Sequence, residues 1–149
     1  MRKTHALCPR LAKVWSTART HWVDFCLGRP DSMVAGTQIG AFASDNRGRT
    51  WRWIYYETLP TQNHVSSVAV HPTDPKRIIL GTKDGLFYTG DGGLEWRRAG
   101  GVLFTGNWVR RVVIDPEDGE HVLAVTWRNL WESHDGGDTW TVVYLNDSE

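Results

Sequence analysis

Cysteine is scarce: 149 residues hold only Cys8 and Cys26. Two cannot build a disulfide framework, their spacing matches no metal motif, and one bridge between them is the most they allow. Excess charge is missing as well. Lys and Arg number 17, and so do Asp and Glu. That balance argues against a dedicated nucleic-acid or membrane-surface binder, which would carry a basic surplus. No apolar run approaches the length of a membrane span. The opening MRKTHALCPRLAKVW has the basic start of a secretory signal, but Pro9, Arg10 and Lys13 interrupt the apolar stretch that should follow. No signal peptide is therefore expected, which places the protein in the cytoplasm if that start is genuine. A nucleophile elbow and a phosphate loop are both lacking. His64, His71, His121 and His134 have no zinc spacing, and each is expected to end a strand or face solvent. Neither a metal nor a cofactor is expected.

What the chain does hold is 15 glycines and nine tryptophans, a composition that suits many short strands joined by tight turns. These residues recur. SHDGGDTW (133–140) has two relatives, SDNRGRTW (44–51) and TGDGGLEW (89–96), whose final tryptophans stand 45 and 44 residues apart. Upstream, VAGTQIGAFAS (34–44), ILGTKDGLFYT (79–89) and LAVTWRNLWES (123–133) align without gaps. VSSVAVHPTDP (65–75) matches VRRVVIDPEDG (109–119), and a fainter first copy runs through WVDFCLGRPDS (22–32). Within the second unit, strands are expected at Val65–Val70, Arg77–Thr82, Gly85–Thr89 and Leu94–Arg98. HPTDP, Lys83–Asp84 and GDGG form the turns, since proline cannot continue a central strand. Four strands in a period of about 44 residues point to a β-propeller blade. The expected fold is all-β: a partial propeller of about three four-stranded antiparallel blades, near 22–54, 65–99 and 108–144. Residues 1–21, which carry five basic side chains and no acid, are expected to be a solvated tail outside the repeat.

The pattern Ser-x-Asp-x-Gly-x-Thr-Trp resembles the Asp box, or BNR repeat, of sialidases, sortilin-type receptors, xyloglucanases and the photosystem II assembly factor. The resemblance covers about 120 residues. It implies the fold but not the activity, because that repeat serves unrelated functions. The residues themselves suggest a structural brace. Ser44, Asn46, Gly48 and Trp51 make the first box, and Thr89, Asp91, Gly93 and Trp96 the second. Ser133, Asp135, Gly137, Thr139 and Trp140 make the third. The hydroxyl and carboxylate would accept backbone N–H bonds, the glycine would adopt a positive φ, the threonine suits a strand, and the tryptophan would plug the space between layers. Asn46 keeps an acceptor but no charge, which suits a turn better than a calcium or catalytic site.

A propeller normally closes with four to eight blades, so three leave open sheet edges. Either two chains complete a six-bladed ring as a homodimer, or the sequence belongs to a longer propeller. Ligands are expected on the face formed by the turns joining the second and third strands of each blade and by the blade-to-blade connections. That face would carry Gln38, Lys83, Asp84, Trp127 and Arg128 from the turns, and Tyr55, Tyr56, Asn63, His64, Asn107 and Trp108 from the connections. Trp127 replaces Lys83 and Gln38 of the other units, so the repeat does not demand an aromatic there. With Trp108 and Arg128 it could stack on a sugar or clamp a peptide; alternatively both tryptophans fill blade contacts. Asp115, Glu117, Asp118 and Glu120 fall on the opposite face, leaving Asp84 without the second carboxylate a glycosidase needs. The reading is a non-enzymatic scaffold that binds a protein, peptide or glycan. The alternative is a section of a sialidase- or xyloglucanase-like glycoside hydrolase.

Overall fold

The structure, a computed structural model, describes residues 18–145. They form three separate antiparallel sheets of four strands each, with consecutive strands paired in chain order. The first sheet holds β1 (Thr20–Cys26), β2 (Arg29–Thr37), β3 (Gly40–Ser44) and β4 (Arg52–Tyr55). The second holds β5 (Val65–Val70), β6 (Ile78–Thr82), β7 (Gly85–Thr89) and β8 (Arg97–Arg98). The third holds β9 (Arg111–Ile114), β10 (Val122–Val125), β11 (Asn129–Ser133) and β12 (Thr141–Leu145). One helical turn, α1 (Pro60–Asn63), sits in the connection between the first two sheets, and a 3-10 turn, Gly101–Phe104, in the next. Among the described residues, no helix is long and apolar enough to cross a membrane.

The innermost strands β1, β5 and β9 lie side by side and line a narrow channel of about 330 Å³. Across it the Arg111 guanidinium stands 4.0 Å from the centre of the Trp22 ring. The sheets radiate from that channel as propeller blades. Two apolar layers hold them together. Val34, Ala41, Ala43, Ile54 and Tyr55 of the first blade meet Val65, Val68, Ile78 and Leu80 of the second. Ile79 and Leu86 of the second meet Val109, Val112, Val122, Ala124 and Trp140 of the third. Alternate residues of one strand thus serve opposite layers, as the period of two in a pleated strand requires. Gly36 and Gly81 sit where the blades come closest. A Cβ at Gly36 would lie 2.6 Å from the Val65 side chain, and one at Gly81 would lie 3.0 Å from the Val109 carbonyl.

The box turns are built alike. In the third, the Ser133 hydroxyl accepts the Gly137 N–H at 2.9 Å and donates to Asp135 at 2.8 Å. Asp135 Oδ1 takes the N–H groups of Asp138 and Thr139 at 3.1 and 2.9 Å. The Trp140 indole N–H then returns to the Gly137 carbonyl at 2.9 Å. Gly137 has a φ of 100°, which a side chain would oppose. Thr139 lies in the turn and not in a strand; its hydroxyl donates to Asp135 Oδ2 at 2.5 Å, and β12 begins two positions later. In the second box Thr89 plays the serine's part, accepting the Gly93 N–H at 3.0 Å and donating to Asp91 at 2.7 Å. Asp91 holds the Leu94 and Glu95 N–H groups at 3.0 and 3.1 Å. Those bonds explain a correction: the fourth strand, expected from Leu94, starts only at Arg97, because the carboxylate has taken the N–H groups that a ladder would need. Likewise β6 opens at Ile78 rather than Arg77. Trp96 also departs from the pattern and donates to the Ile54 carbonyl of the neighbouring blade at 2.6 Å.

In the first box the Asn46 side-chain oxygen accepts the Thr50 N–H at 2.9 Å, while its amide donates to the Thr50 hydroxyl at 2.8 Å. An amide therefore does what the carboxylate of Asp135 does. Asp135, held by the Thr139 hydroxyl and N–H and by Ser133, has its pKa lowered to about 2. A depressed carboxylate pKa adds stability above the ordinary value near 4, and that stability is lost as pH falls toward 2. Asp135→Asn should fold at neutral pH and lose less of its melting temperature between about pH 4 and pH 2 than the wild type. Thermal scans across that range check this; an unchanged acid dependence would show that Asp135 contributes little to it.

Cys26 is free and buried, its thiol donating to the Pro72 carbonyl at 3.3 Å. Cys8, and the rest of the basic segment up to residue 17, lie outside the described residues.

Candidate ligand-binding face

The three β2–β3 type turns end the sheets on the same side as the two connections between blades. Backbone bonds tie them together: Lys83 N–H to the His64 carbonyl at 3.3 Å, and Arg110 N–H to the Val125 carbonyl at 2.8 Å. Each turn has the same brace. Thr37 and Thr82 each donate to the carbonyl of the following glycine, at 3.0 and 3.1 Å, and Thr126 donates to the Asn129 carbonyl at 3.2 Å. The Lys83, Trp127 and Arg128 side chains at the tips take no part in that brace, and the residues there vary from blade to blade.

Two tryptophans stand out on this face. Trp127 is 71% exposed and Trp108 41%. The Arg110 guanidinium reaches both rings, 5.3 Å from the centre of Trp127 and 5.8 Å from that of Trp108. Lys83 Nζ approaches Trp108 at 5.4 Å. His64 meets Trp108 edge-on at 6.5 Å and lies 4.5 Å from the His21 ring. Partial burial, with Lys83 and His21 nearby, lowers the His64 pKa to about 4, so this imidazole is neutral at physiological pH and props the Trp108 ring. Arg128 and Asn107 are exposed beside them, Asn107 anchoring its own loop through the Leu103 carbonyl at 3.1 Å. Lys83, Arg110 and Arg128 have no ion pair among the described residues. The result is an exposed aromatic ridge carrying positive charge.

Other expected members turn inward. Asp84 accepts from Arg98 at 2.6 Å, from Gln62 at 2.8 Å and from the Gly106 N–H at 3.1 Å. Burial pushes its pKa up, but those three donors outweigh it and hold the carboxylate below its ordinary value. It is an ionised pin joining a turn to both connections, not a free acid. Tyr55, expected on a connection, ends β4 in the core, and burial raises its pKa. Asn63 is buried too; its side chain accepts the Glu57 N–H at 2.6 Å and closes the loop around α1. Tyr56 is exposed and packs edge-on against Trp53 at 5.7 Å. Gln38 is half-buried. Sequence reasoning missed Arg110, although Trp108-x-Arg110 places both side chains on one face of an extended segment. It also missed Arg98 and Gln62, whose contacts with Asp84 come from distant positions.

A larger cavity of about 1140 Å³ opens at the opposite end, between the first two blades. It exists because β1 and β2 are joined by a tight turn at Leu27–Gly28, where the other blades insert residues 71–77 and 115–121. Of its charges, Arg52 pairs with Asp45 at 3.3 Å, Asp31 with Arg47, and Asp91 is committed to its turn, while Arg29, Lys76 and Glu95 on its wall form no ion pair among the described residues. The cavity is a gap left by a short loop.

No protein-family model matches the chain, and no curated protein matches it in sequence. Solved structures do match. An ancestral GH74 enzyme superposes with a TM-score of 0.75 over 97% of this chain at 19% identity. A GH74 xyloglucanase from Xanthomonas campestris gives 0.64 over 80% at 23%. A structure of YCF48 bound to D1 peptide gives 0.60 over 95% at 14%. The fold is that of a β-propeller. The chain spans 20% and 18% of the two GH74 proteins and 42% of that YCF48 chain, so it corresponds to part of each. Identities this low carry the architecture and leave the activity to the residues of this chain.

Proposed function

We propose that this chain is a non-catalytic propeller unit that binds an acidic peptide segment on the face bearing Trp108, Arg110 and Trp127. The observation that carries the reading is the Arg110 guanidinium lying within cation–π range of two exposed tryptophans, with Lys83 in that range of Trp108 and Arg128 next to Trp127 in the chain. Aromatic surface supplies contact area at small entropic cost, and unpaired guanidinium and ammonium groups select carboxylates. That a structure of YCF48 holds a peptide on a propeller of this kind supports the ligand class. The hydroxyl-to-carboxylate braces of the second and third turns, and the hydroxyl-to-amide brace of the first, support assigning the three turns to the Asp-box type, with a structural role. The second reading, a section of a glycoside hydrolase, draws on the likeness to GH74 proteins. It is weakened by Asp84, whose oxygens are held by Arg98, Gln62 and a backbone N–H and so are not free for acid–base work.

Fluorescence-polarisation titrations test the proposal, using labelled acidic, neutral and basic peptides that each include one tyrosine, alongside xyloglucan oligosaccharides. The acidic set should bind best, and its affinity should fall as salt rises from about 50 to about 300 mM. Trp127→Ala and Arg110→Ala should each weaken binding by about tenfold or more, as expected for an aromatic or arginine anchor. Indifference of the affinity to peptide charge, or to both substitutions, would contradict the reading. Cleavage of xyloglucan would replace it with the second.

A further inference from the structure

We propose that His121, Glu132 and His134 form a binding site for one divalent transition-metal ion of the zinc type, with Asp115 orienting His121 from behind. The three residues come from separate elements. His121 precedes β10, Glu132 sits near the end of β11, and His134 enters the third box turn. Pairing of Val122 with Ser133 across the hairpin draws the flanking side chains together. His121 Nε2 lies 2.8 Å from Glu132 Oε1, and His134 Nε2 lies 3.6 Å from that oxygen. One donor atom from each residue falls within 4.8 Å of the others.

Two further features distinguish this cluster from a chance meeting of polar groups. Asp115 Oδ2 stands 3.3 Å from His121 Nδ1. A carboxylate there fixes the proton on Nδ1 and leaves Nε2 as the donor to a metal, the outer-shell arrangement that metal-bound histidines usually have. The repeat itself demands none of the three ligands. In the second blade the aligned positions are Arg77, Tyr88 and Gly90, and in the first they are Ser32, Ala43 and Asp45. Three departures from the repeat thus converge on one point, on the flank of the third blade that no described strand covers.

Two imidazoles and a carboxylate suit zinc, cobalt, nickel or copper, whereas calcium and magnesium prefer oxygen throughout. Three protein ligands leave a fourth position for water. Donors about 2.0–2.2 Å from a common zinc must approach one another to about 3.4 Å. His134 Nε2 and Glu132 Oε1, 3.6 Å apart, stand near that spacing, and His121 Nε2 and Glu132 Oε1, 2.8 Å apart through a hydrogen bond, open slightly when an ion takes the place of the shared proton. The His134 ring, stacked on His121 at 4.8 Å, has to turn, and a side chain that is 70% exposed is free to do so.

Titration of the full chain with zinc chloride, by calorimetry and by thermal unfolding, tests the site. One ion per chain should bind and raise the melting temperature, while calcium chloride should do neither. His134→Ala removes an exposed ligand, so it should melt like the metal-free wild type yet bind zinc at least about tenfold more weakly; Asp115→Asn should weaken binding by about 10- to 100-fold. Cobalt should give the visible bands of a four-coordinate nitrogen and oxygen site without a thiolate charge-transfer band, which separates this cluster from the cysteines. Absence of zinc binding, an unchanged affinity in His134→Ala, or a thiolate signature would overturn the proposal. The cluster lies at the opposite end of the blade from Trp127, so peptide affinity should not respond to zinc.

Discussion

Gly36→Val should lower the melting temperature by about 10 °C or more, or prevent folding at 37 °C. The first atom added would stand 2.6 Å from Val65 Cγ1 and 2.9 Å from Val68 Cγ2, and the rest of the valine would go deeper into the layer between blades. That layer includes Val34, Ile54, Val65, Val68 and Leu80, all buried. Overpacking in such a place costs about 3 kcal/mol when the backbone must shift, which corresponds to roughly 10 °C for a domain of this size. The aligned residue of the third blade is already valine. Val125 is 38% exposed, because no described strand packs on that side. Val125→Gly should therefore cost only about 1 kcal/mol, from lost strand preference and a little apolar area. Equal effects at the two positions would mean that the third flank is covered like the others.

Asp84→Ala should cost about 2–3 kcal/mol, because removing one partner of a largely buried pair leaves the other charge uncompensated, with some relief from solvent. The Asp84 and Arg98 side chains are 18% and 32% exposed, and Arg98 stacks 4.9 Å over the Phe87 ring. The same substitution releases Gln62 in one connection and the Gly106 N–H in the other. Peptide binding should weaken as well, since the connection that carries Trp108 loses its anchor. Asp84→Asn, whose single side-chain oxygen can keep the Gly106 N–H bond or the Gln62 bond but not both, and not the charge, should fall between wild type and alanine. Denaturant unfolding of the three proteins measures the order. An alanine variant as stable as the wild type would show that Asp84 does not hold the loops.

Much of the fold is legible in the letters because the repeat states it three times. Aligned apolar runs, an Asp or Asn after each Ser or Thr, and a glycine at each tight approach locate the blades and turns without coordinates. Where a single residue competes for backbone N–H groups, the letters mislead: Leu94 and Glu95 look like strand, and the Asp91 carboxylate keeps them in the turn. Contacts formed across a hairpin or between connections are silent in sequence. His121 and His134 show no ligand spacing, yet strand pairing brings them together. Asp84 looks like a free acid until Arg98 and Gln62 arrive from either side. For the ligand face the useful signal was departure from the repeat. Trp127 stands where the other blades have Lys83 and Gln38, and a residue that the architecture does not require is free to serve binding.

On the proposed function, ligands meet the Trp108–Arg110–Trp127 ridge and not the box-turn end of the blades. Each tryptophan has one indole N–H, so a two-dimensional nitrogen–proton spectrum recorded during titration with an acidic, tyrosine-containing peptide reports both ends at once. The indole signals of Trp108 and Trp127, assigned by substitution to Phe, should move progressively with peptide. Those of Trp51 and Trp140, tied to Gly48 and Gly137 by bonds of 2.9 Å, should stay in place. Movement of the box tryptophans with a still ridge would contradict the account and put the binding face at the other end of the propeller.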